Sequence, residues 1–263
     1  SDLLSTFSID VDTASYAIVR RFLTAGQMPP SGAVRIEEML NYFDYQYQGP
    51  KADDQPFAIH ATVASAPWQP DHRLVRIGIK GKEMPARERP AANLVFLIDT
   101  SGSMQGNHWE TAQEVMKEIL DIYPKLKGFQ VMNDVGTPMF PSYAGKWIPD
   151  SPGQRKTVID RLRTWNAFSA SNPSGGIVSA IQTYWARDKK ISLYVFGDEF
   201  TGPSIDSVVK TVDLVNREGQ TGERLVRIHA IGFPVRPDAP QYTSIRFATL
   251  MRILCARNGG TFV

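Results

Sequence analysis

The sequence has little of several features that mark particular classes of protein. It contains one cysteine, Cys255, so no disulfide can form within the chain. Its four histidines do not recur at the short spacings that zinc ligands require. These scarcities exclude a small domain held by disulfides and a zinc module built from cysteine and histidine. The histidines are His60, His72, His108 and His229.

The sequence also lacks a large excess of charge of one sign and long apolar runs. Lys plus Arg number 29 and Asp plus Glu number 27, which leaves a formal net charge of +2. Proteins that bind nucleic acid or anionic membranes carry a clear positive excess, so this balance argues against both partners. No apolar run approaches the roughly 20 residues that a transmembrane helix needs. We therefore expect no nucleic-acid partner and no direct insertion into a membrane.

The composition is that of a globular protein large enough to bury a core. Apolar residues make up 42% of the 263 residues and charged residues 21%, which is too apolar for a disordered chain. A length prior of roughly 100–200 residues per domain indicates one large domain or two small ones. The sharpest change in composition is at residues 82–90 (KEMPARERP), a charged stretch with two prolines that is typical of a linker.

The part before this linker, residues 1–90, predicts a small α+β region. Apolar residues at helical spacing predict helices at about residues 14–23 and 34–43. Two further segments favour strands, at about residues 57–64 and 74–80, and the second alternates apolar and polar residues.

The part after the linker, residues 91–263, predicts an α/β domain. Residues 94–98 (LVFLI) form a continuous apolar run, as expected of a strand buried on both faces of a parallel sheet. Strands that alternate with helices predict an open, mostly parallel sheet with helices on both faces, a Rossmann-like arrangement. The predicted strands are 94–98, 129–132, 193–196, 225–231 and 261–263, and the predicted helices are 109–120, 156–165, 177–185, 204–218 and 245–256.

The loop after the first buried strand carries closely spaced oxygen groups. It reads Asp99-Thr100-Ser101-Gly102-Ser103, with a carboxylate and two hydroxyls at every second position. Ligands of open parallel sheets bind outside the carboxyl ends of the strands, where this loop lies. Oxygen ligands suit a hard divalent cation, Mg²⁺ above all. The pattern predicts a metal site, although a turn followed by a helix cap uses the same residue types.

Two later loops bring more polar residues to the same edge of the predicted sheet. Residues 169–176 read SASNPSGG, and residues 197–199 read GDE after a buried strand. With these loops in place, residues 94–104 (LVFLIDTSGSM) resemble the opening of a von Willebrand factor type A domain that carries a metal-ion-dependent adhesion site. The resemblance extends over residues 93–263, about two thirds of the chain. It implies the Rossmann-like fold of that family.

The resemblance also implies a set of metal ligands. Asp99, Ser101 and Ser103 match the first loop of the adhesion site directly. In the third loop the family pattern ends in Asp-Gly, whereas here the order is Gly-Asp-Glu. Asp198 is therefore the best match to the second carboxylate, acting on the ion through water, and Glu199 is the alternative.

The second loop of the family supplies a threonine. Ser171 matches it best by the spacing to the following helix, and Ser169 and Ser174 are alternatives. The function implied is a non-enzymatic adhesion module that holds Mg²⁺, with Mn²⁺ or Ca²⁺ as substitutes. The ion would bind an Asp or Glu carboxylate of a protein partner.

The N-terminal part carries a second resemblance. Residues 5–47 are similar to a segment that precedes the type A domain in a group of bacterial, exported proteins. Together with the absence of an initiator methionine and of disulfides, this similarity predicts a location in the cell envelope, periplasmic or surface-exposed. The cytoplasm is the alternative.

Two other functions remain open at this point. Asp10 and Asp12 are spaced as in the D-x-D loop of haloacid-dehalogenase-like phosphatases, which use Mg²⁺. The loop at Asp99 has Ser101 at the position where such an enzyme needs its acidic proton donor, which argues against this reading. A simple turn with a helix cap before residue 14 explains the two aspartates as well. The third possibility is a structural domain with a vestigial metal site.

Overall fold

A computed structural model of the protein describes residues 11–51, 55–83, 91–104, 107–165, 168–219, 221–233 and 241–263. The helices and strands alternate along most of these ranges. They are α1 (Ala14–Thr24), α2 (Ile36–Asn41), β1 (Phe57–Ala66), β2 (Gln69–Gly81), β3 (Ala92–Ile98), α3 (Asn107–Ile122), β4 (Leu126–Asn133), α4 (Pro152–Leu162), α5 (Pro173–Tyr184), β5 (Ile191–Gly197), α6 (Ile205–Val215), β6 (Arg227–Gly232) and α7 (Gln241–Arg257).

The chain divides into two compact units. The first comprises Ser1–Tyr42 together with Pro90–Val263, and the second comprises Phe43–Arg89. The sequence predicts one N-terminal region over residues 1–90. In the structure, α1 and α2 instead belong to the unit that contains the large sheet, and the second unit is built on the hairpin of β1 and β2.

The large sheet has four parallel strands in the order β4-β3-β5-β6. The central strand β3 pairs with β4 on one side and with β5 on the other, so that Leu97 lies beside both Met132 and Val195. The predicted α/β fold class is confirmed. Outside β4, Ile148 and Pro138 form antiparallel bridges to Phe129 and Met132, so the proline-rich stretch after β4 runs back along this edge of the sheet.

The two faces of β3 pack against different sets of helices. Val95 and Leu97 belong to one buried cluster with residues of α5, α6 and α7. Leu94, Phe96 and Ile98 belong to a second cluster with residues of α3 and α4. Because both faces of the strand are covered, every residue in the run is apolar rather than every second one.

Several helix boundaries differ from the prediction. Helix α4 begins at Pro152 rather than at residue 156, since the Ser151 hydroxyl accepts a hydrogen bond from the Gln154 amide. Helix α6 ends at Val215 instead of residue 218. The side chain of Asn216 there bonds the backbone amide and carbonyl of Val226 at 2.9 Å each. The end of the helix before Gly219 thus coincides with contacts to the residue that precedes β6.

A buried ion pair joins α2 to α7, and a hydrogen bond to the same carboxylate includes α1. The guanidinium of Arg252 lies 2.6 Å from the carboxylate of Glu38, which is fully buried. The same carboxylate accepts a hydrogen bond from the Ser15 amide at 2.9 Å. Nearby, the Asp12 carboxylate accepts one from the Phe262 amide at 2.9 Å. The N-terminal helices are therefore part of the packed unit.

The second unit is an antiparallel hairpin in which Ile59 pairs with Ile79 and Val63 with Val75. On its other face, the ring of Tyr47 stacks on His60 with a centroid distance of 4.8 Å. Both predicted strands are confirmed as strands and are longer than predicted. No helix in the described ranges is long and apolar enough to cross a membrane.

The buried ion pair generates a prediction about stability. Replacing Glu38 by Ala leaves the Arg252 guanidinium buried without its carboxylate, so we expect the free energy of unfolding to fall by about 3–5 kcal/mol. Urea denaturation followed by circular dichroism measures this. Glu37→Ala is the matched control, because the Glu37 side chain is 47% exposed and its pair with Arg35 contributes less than about 1 kcal/mol. Equal losses of unfolding free energy in the two variants would contradict a stabilising role for the buried pair of Glu38 and Arg252.

Candidate functional site

The candidate site lies at the carboxyl edge of the parallel sheet, where three loops meet. The first follows β3, the second precedes α5, and the third follows β5. The first loop is held against the neighbouring strand because the Asp99 amide donates to the Phe196 carbonyl at 2.8 Å. Loops that follow adjacent parallel strands converge at this edge, which makes it the usual place for ligands in such folds.

The first and third loops are joined by a chain of hydrogen bonds. The Asp99 carboxylate accepts from the Ser101 amide at 2.8 Å, and the Ser101 hydroxyl lies 2.9 Å from that of Ser103. The Ser103 hydroxyl donates to Oδ1 of Asp198 at 3.0 Å. Four of the predicted ligands are thus brought together in one cluster.

The second loop holds the three serines that the sequence analysis weighed. The hydroxyl of Ser169 donates to Oδ1 of Asp99 and accepts from the Thr100 amide, both at 3.2 Å. Ser174 is engaged in the cap of α5 through Asn172, at 2.7 Å. Ser171 is buried with a left-handed backbone (φ +48°), and its carbonyl accepts from the Thr201 amide. Of the three, Ser169 is the one with a recorded bond to Asp99.

The third loop separates its two acidic side chains. Asp198 is buried and faces Ser103. Glu199 instead accepts a hydrogen bond from the Thr243 hydroxyl of α7 at 3.1 Å. The geometry therefore brings Asp198 into the cluster and directs its alternative, Glu199, elsewhere.

Asp134, which no sequence motif singles out, is a further member of this site. It follows β4, is buried, and accepts a hydrogen bond from the Asn172 amide at 2.8 Å. A Cβ at Gly176 would lie 2.5 Å from the Asp134 carbonyl, so only glycine lets α5 approach this closely. The available signal was its position, directly after a buried strand that neighbours β3.

Burial dominates the electrostatics of the three carboxyl groups. It raises the pKa of Asp99 to about 7, helped by the negative charge of Asp134. It also raises the pKa of Asp198 to about 6 and that of Asp134 above its ordinary value. Oδ2 of Asp198 and Oδ1 of Asp134 are buried without a hydrogen-bond partner among the described residues. A carboxylate buried in this way is stabilised by a proton or by a cation.

The donor set at this edge consists of carboxylates and hydroxyls. Within the described part of the chain, no group of three or more His, Cys, Asp or Glu side chains is arranged to hold a metal ion. A site made from Asp99 and the hydroxyls of Ser101 and Ser103 does not depend on such a group. The unpaired carboxylate oxygens fit a cation beside them, and metal binding here stays a prediction.

Other residues named from the sequence have different surroundings. Asp10 lies outside the described residues, and the carboxylate of Asp12 bonds the Phe262 amide. The residue before α1 is Thr13, whose side chain makes no capping hydrogen bond. Cys255 is fully buried, and burial raises the pKa of its thiol. Nδ1 of His108 lies 3.2 Å from the Ser103 carbonyl, beside the first loop.

Similarity to known proteins was found. The family model described as von Willebrand factor matches residues 1–76. Uncharacterized protein YfbK of Escherichia coli (strain K12) is 50% identical over 107 residues, which are 38% of this chain and 19% of that protein. The chain thus spans about a fifth of the curated relative it matches. Together with the fold, these similarities confirm the resemblance to von Willebrand factor type A proteins. The family match ends ahead of β3, so it does not include the three loops of the candidate site.

The raised pKa of Asp99 predicts how stability depends on pH without metal. The folded-state pKa of about 7 lies above the ordinary 3.8, so this group favours folding at low pH, and the contribution is lost as the pH rises through 7. Asp99→Asn removes this pH-dependent loss of folding stability, because asparagine carries no carboxyl group that ionises. We expect the variant in EDTA to lose less stability than the wild type between pH 5 and pH 8, by on the order of 2 kcal/mol.

The matched control is Asp213→Asn. Asp213 pairs with Arg224 and Arg257, whose hydrogen bonds and charges lower its pKa against the effect of burial. Its variant should lose stability at neutral pH and approach the wild type as the pH falls below 4, which is the opposite trend. Parallel pH profiles for Asp99→Asn and the wild type would contradict the raised pKa.

Proposed function

We propose that this chain, which is similar to von Willebrand factor type A proteins, is a metal-dependent binding module that recognises a carboxylate of a protein partner. The similarity supports a protein-interaction module. The observation that carries the finer proposal is the cluster of Asp99, Ser101, Ser103 and Asp198 at the carboxyl edge of the sheet. Oδ2 of Asp198 in this cluster and Oδ1 of the neighbouring Asp134 are buried without a hydrogen-bond partner in the described part of the chain.

The proposed ion is Mg²⁺, with Mn²⁺ or Ca²⁺ as substitutes, because all donors are oxygen atoms. Asp99, Ser101 and Ser103 would hold it, Asp198 would act through water, and a serine of the second loop would complete the set. Ser171 was favoured from the sequence, whereas the hydrogen bond from Ser169 to Asp99 favours its neighbour. When bound, the ion would supply a positive charge that attracts an anionic oxygen of the partner.

Binding rather than catalysis is proposed because, within the described residues, no histidine ring bonds a hydroxyl of the first loop. The hydroxyls of Ser101 and Ser103 contact each other, and Ser103 donates to Asp198. The ring of His108 is directed to the Ser103 carbonyl, not to its hydroxyl. The carboxylate that Ser103 bonds is the one proposed to act on the ion through water, so it would not serve as the base that a nucleophilic serine needs. The carboxylate of Asp12, which the phosphatase alternative would use, bonds a backbone amide instead.

The proposed location is the cell envelope, with the cytoplasm as the alternative. The support is the similarity of the N-terminal segment to bacterial exported proteins. The family match to residues 1–76 falls on the same part of the chain.

The metal site is tested by calorimetric titration of Mg²⁺ and Mn²⁺ into the protein after chelation. We expect the wild type to bind and Asp99→Ala to lose binding, because Asp99 carries the formal charge among the proposed direct ligands. Ser101→Ala and Ser103→Ala should bind more weakly than the wild type but better than Asp99→Ala. Asp188→Ala is the control: its side chain is 78% exposed, and it lies before β5, at the opposite end of that strand from the third loop. It should bind as the wild type does.

Further variants separate the alternatives. Ser169→Ala should weaken Mg²⁺ binding more than Ser171→Ala does, since Ser169 contacts Asp99. Equal binding by wild type and Asp99→Ala would refute the site, and no binding by either would favour a vestigial site. Hydrolysis of an aryl phosphate that is lost in Asp10→Asn but kept in Asp99→Ala would favour the phosphatase.

A further inference from the structure

A cavity of about 550 Å³ lies between α1, the carboxyl end of β6 and α7. Its walls are mainly apolar and include Ala17 and Ile18 of α1, Phe233 after β6, and Phe247 and Ala248 of α7. Cavities that bind small molecules or side chains commonly measure roughly 300–1,000 Å³, so this one is large enough for a bulky group. Ala17 is exposed and lies at its mouth.

The cavity adjoins the candidate metal site. Asp198 forms part of its wall, and Oδ1 of the same side chain accepts the hydrogen bond from Ser103. Phe233, another wall residue, has its ring centroid 5.9 Å from that of His108. His108 in turn contacts the carbonyl of Ser103. A ligand bound at the first loop therefore has an apolar space directly beside it.

Three arginines and one aspartate line the described part of the cavity, so its charge favours an acidic ligand. Arg252 is a wall residue, but Glu38 neutralises it at 2.6 Å. Arg21 is also in the wall; its guanidinium donates one long hydrogen bond to Ser244, at 3.4 Å. Its Nε is buried without a hydrogen-bond partner among the described residues. The negative charge of Asp198 attracts the guanidinium. Within the described part of the wall, Arg21 is thus an incompletely bonded cation next to the third loop.

We propose that this cavity receives a large apolar side chain of a protein partner, next in sequence to the Asp or Glu that meets the metal ion. The preferred partner segment is then an acidic residue followed by Phe or Leu. This proposal rests on the proposed function, because the metal ion positions the acidic residue. Apolar walls gain by excluding water from such a side chain, and the positive charge of Arg21 favours the acidic neighbour.

The test compares two blocked tetrapeptides, Gly-Asp-Phe-Gly and Gly-Asp-Gly-Gly, titrated into the protein with saturating Mg²⁺ and followed by NMR. We expect the phenylalanine peptide to bind roughly ten to a hundred times more tightly, the gain that burial of one aromatic side chain gives. Ala248→Phe fills the cavity and should abolish the difference. Ala256→Phe is the matched control on the same helix, since Ala256 is exposed and not a wall residue.

A second variant guards against misfolding of Ala248→Phe, whose site is buried. Ala17→Trp narrows the mouth from an exposed position on α1 and should also abolish the preference. Calorimetry of all variants with Mg²⁺ alone should show unchanged metal affinity.

The outcomes distinguish this proposal from the one it rests on. Mg²⁺ binding with equal affinity for the two peptides would overturn the cavity proposal and leave the proposed function intact. Absence of Mg²⁺ binding by the wild type would overturn both. A preference for the phenylalanine peptide that persists in EDTA, or in Asp99→Ala, would overturn the link between cavity and metal. Binding of 4-phenylbutyrate as tight as that of the phenylalanine peptide would overturn the peptide assignment in favour of a free amphipathic acid.

Discussion

Burial of like charge at the carboxyl edge of the sheet is the constraint on which the rest of this structure depends. Asp99, Asp134 and Asp198 follow three adjacent strands, and all three are buried. Burial raises the pKa of each carboxyl group, and the negative charge of Asp134 raises the pKa of Asp99 further. Such an arrangement opposes folding unless protons or a cation neutralise it. The apolar strand β3, covered on both faces, supplies part of the stability that offsets it.

The N-terminal helix α1 also lines the cavity beside this edge. Arg21 of α1 shares a cavity wall with Asp198, and α1 is held near α7 by the contacts among Ser15, Glu38 and Arg252. These contacts are hydrogen bonds and an ion pair in the interior, which fix position more strictly than apolar packing does. Any ligand that uses both the metal loops and the cavity would therefore depend on α1 as well as on the sheet.

The sequence predicted the parts of this structure that local patterns determine. The run LVFLI predicted the central strand because covering both of its faces leaves no position for a polar residue. The spacing of Asp99, Ser101 and Ser103 predicted a polar cluster, and the structure brings these residues together with Asp198. What local patterns do not carry is contact between distant segments. Glu38 and Arg252 are 214 residues apart, and nothing near either residue indicates the other. The end of α6 before Asn216 could not be predicted locally either, because the side chain of Asn216 bonds Val226 and Asn258 outside the helix.

The proposed function gives the distribution of charge at the site a physical purpose. If hydroxyls rather than further carboxylates surround the ion beside Asp99, little of its charge is cancelled by direct ligands, and the remainder is available to a partner's carboxylate. Asp198 and Asp134 then stabilise the cation from a greater distance without cancelling that attraction. A second acidic side chain among the direct ligands, in place of Ser101, would hold the ion more tightly and attract a partner less. Weak direct ligation and strong burial are thus two parts of one arrangement, since the low-dielectric surroundings that penalise the empty site also strengthen the contact with an acidic partner.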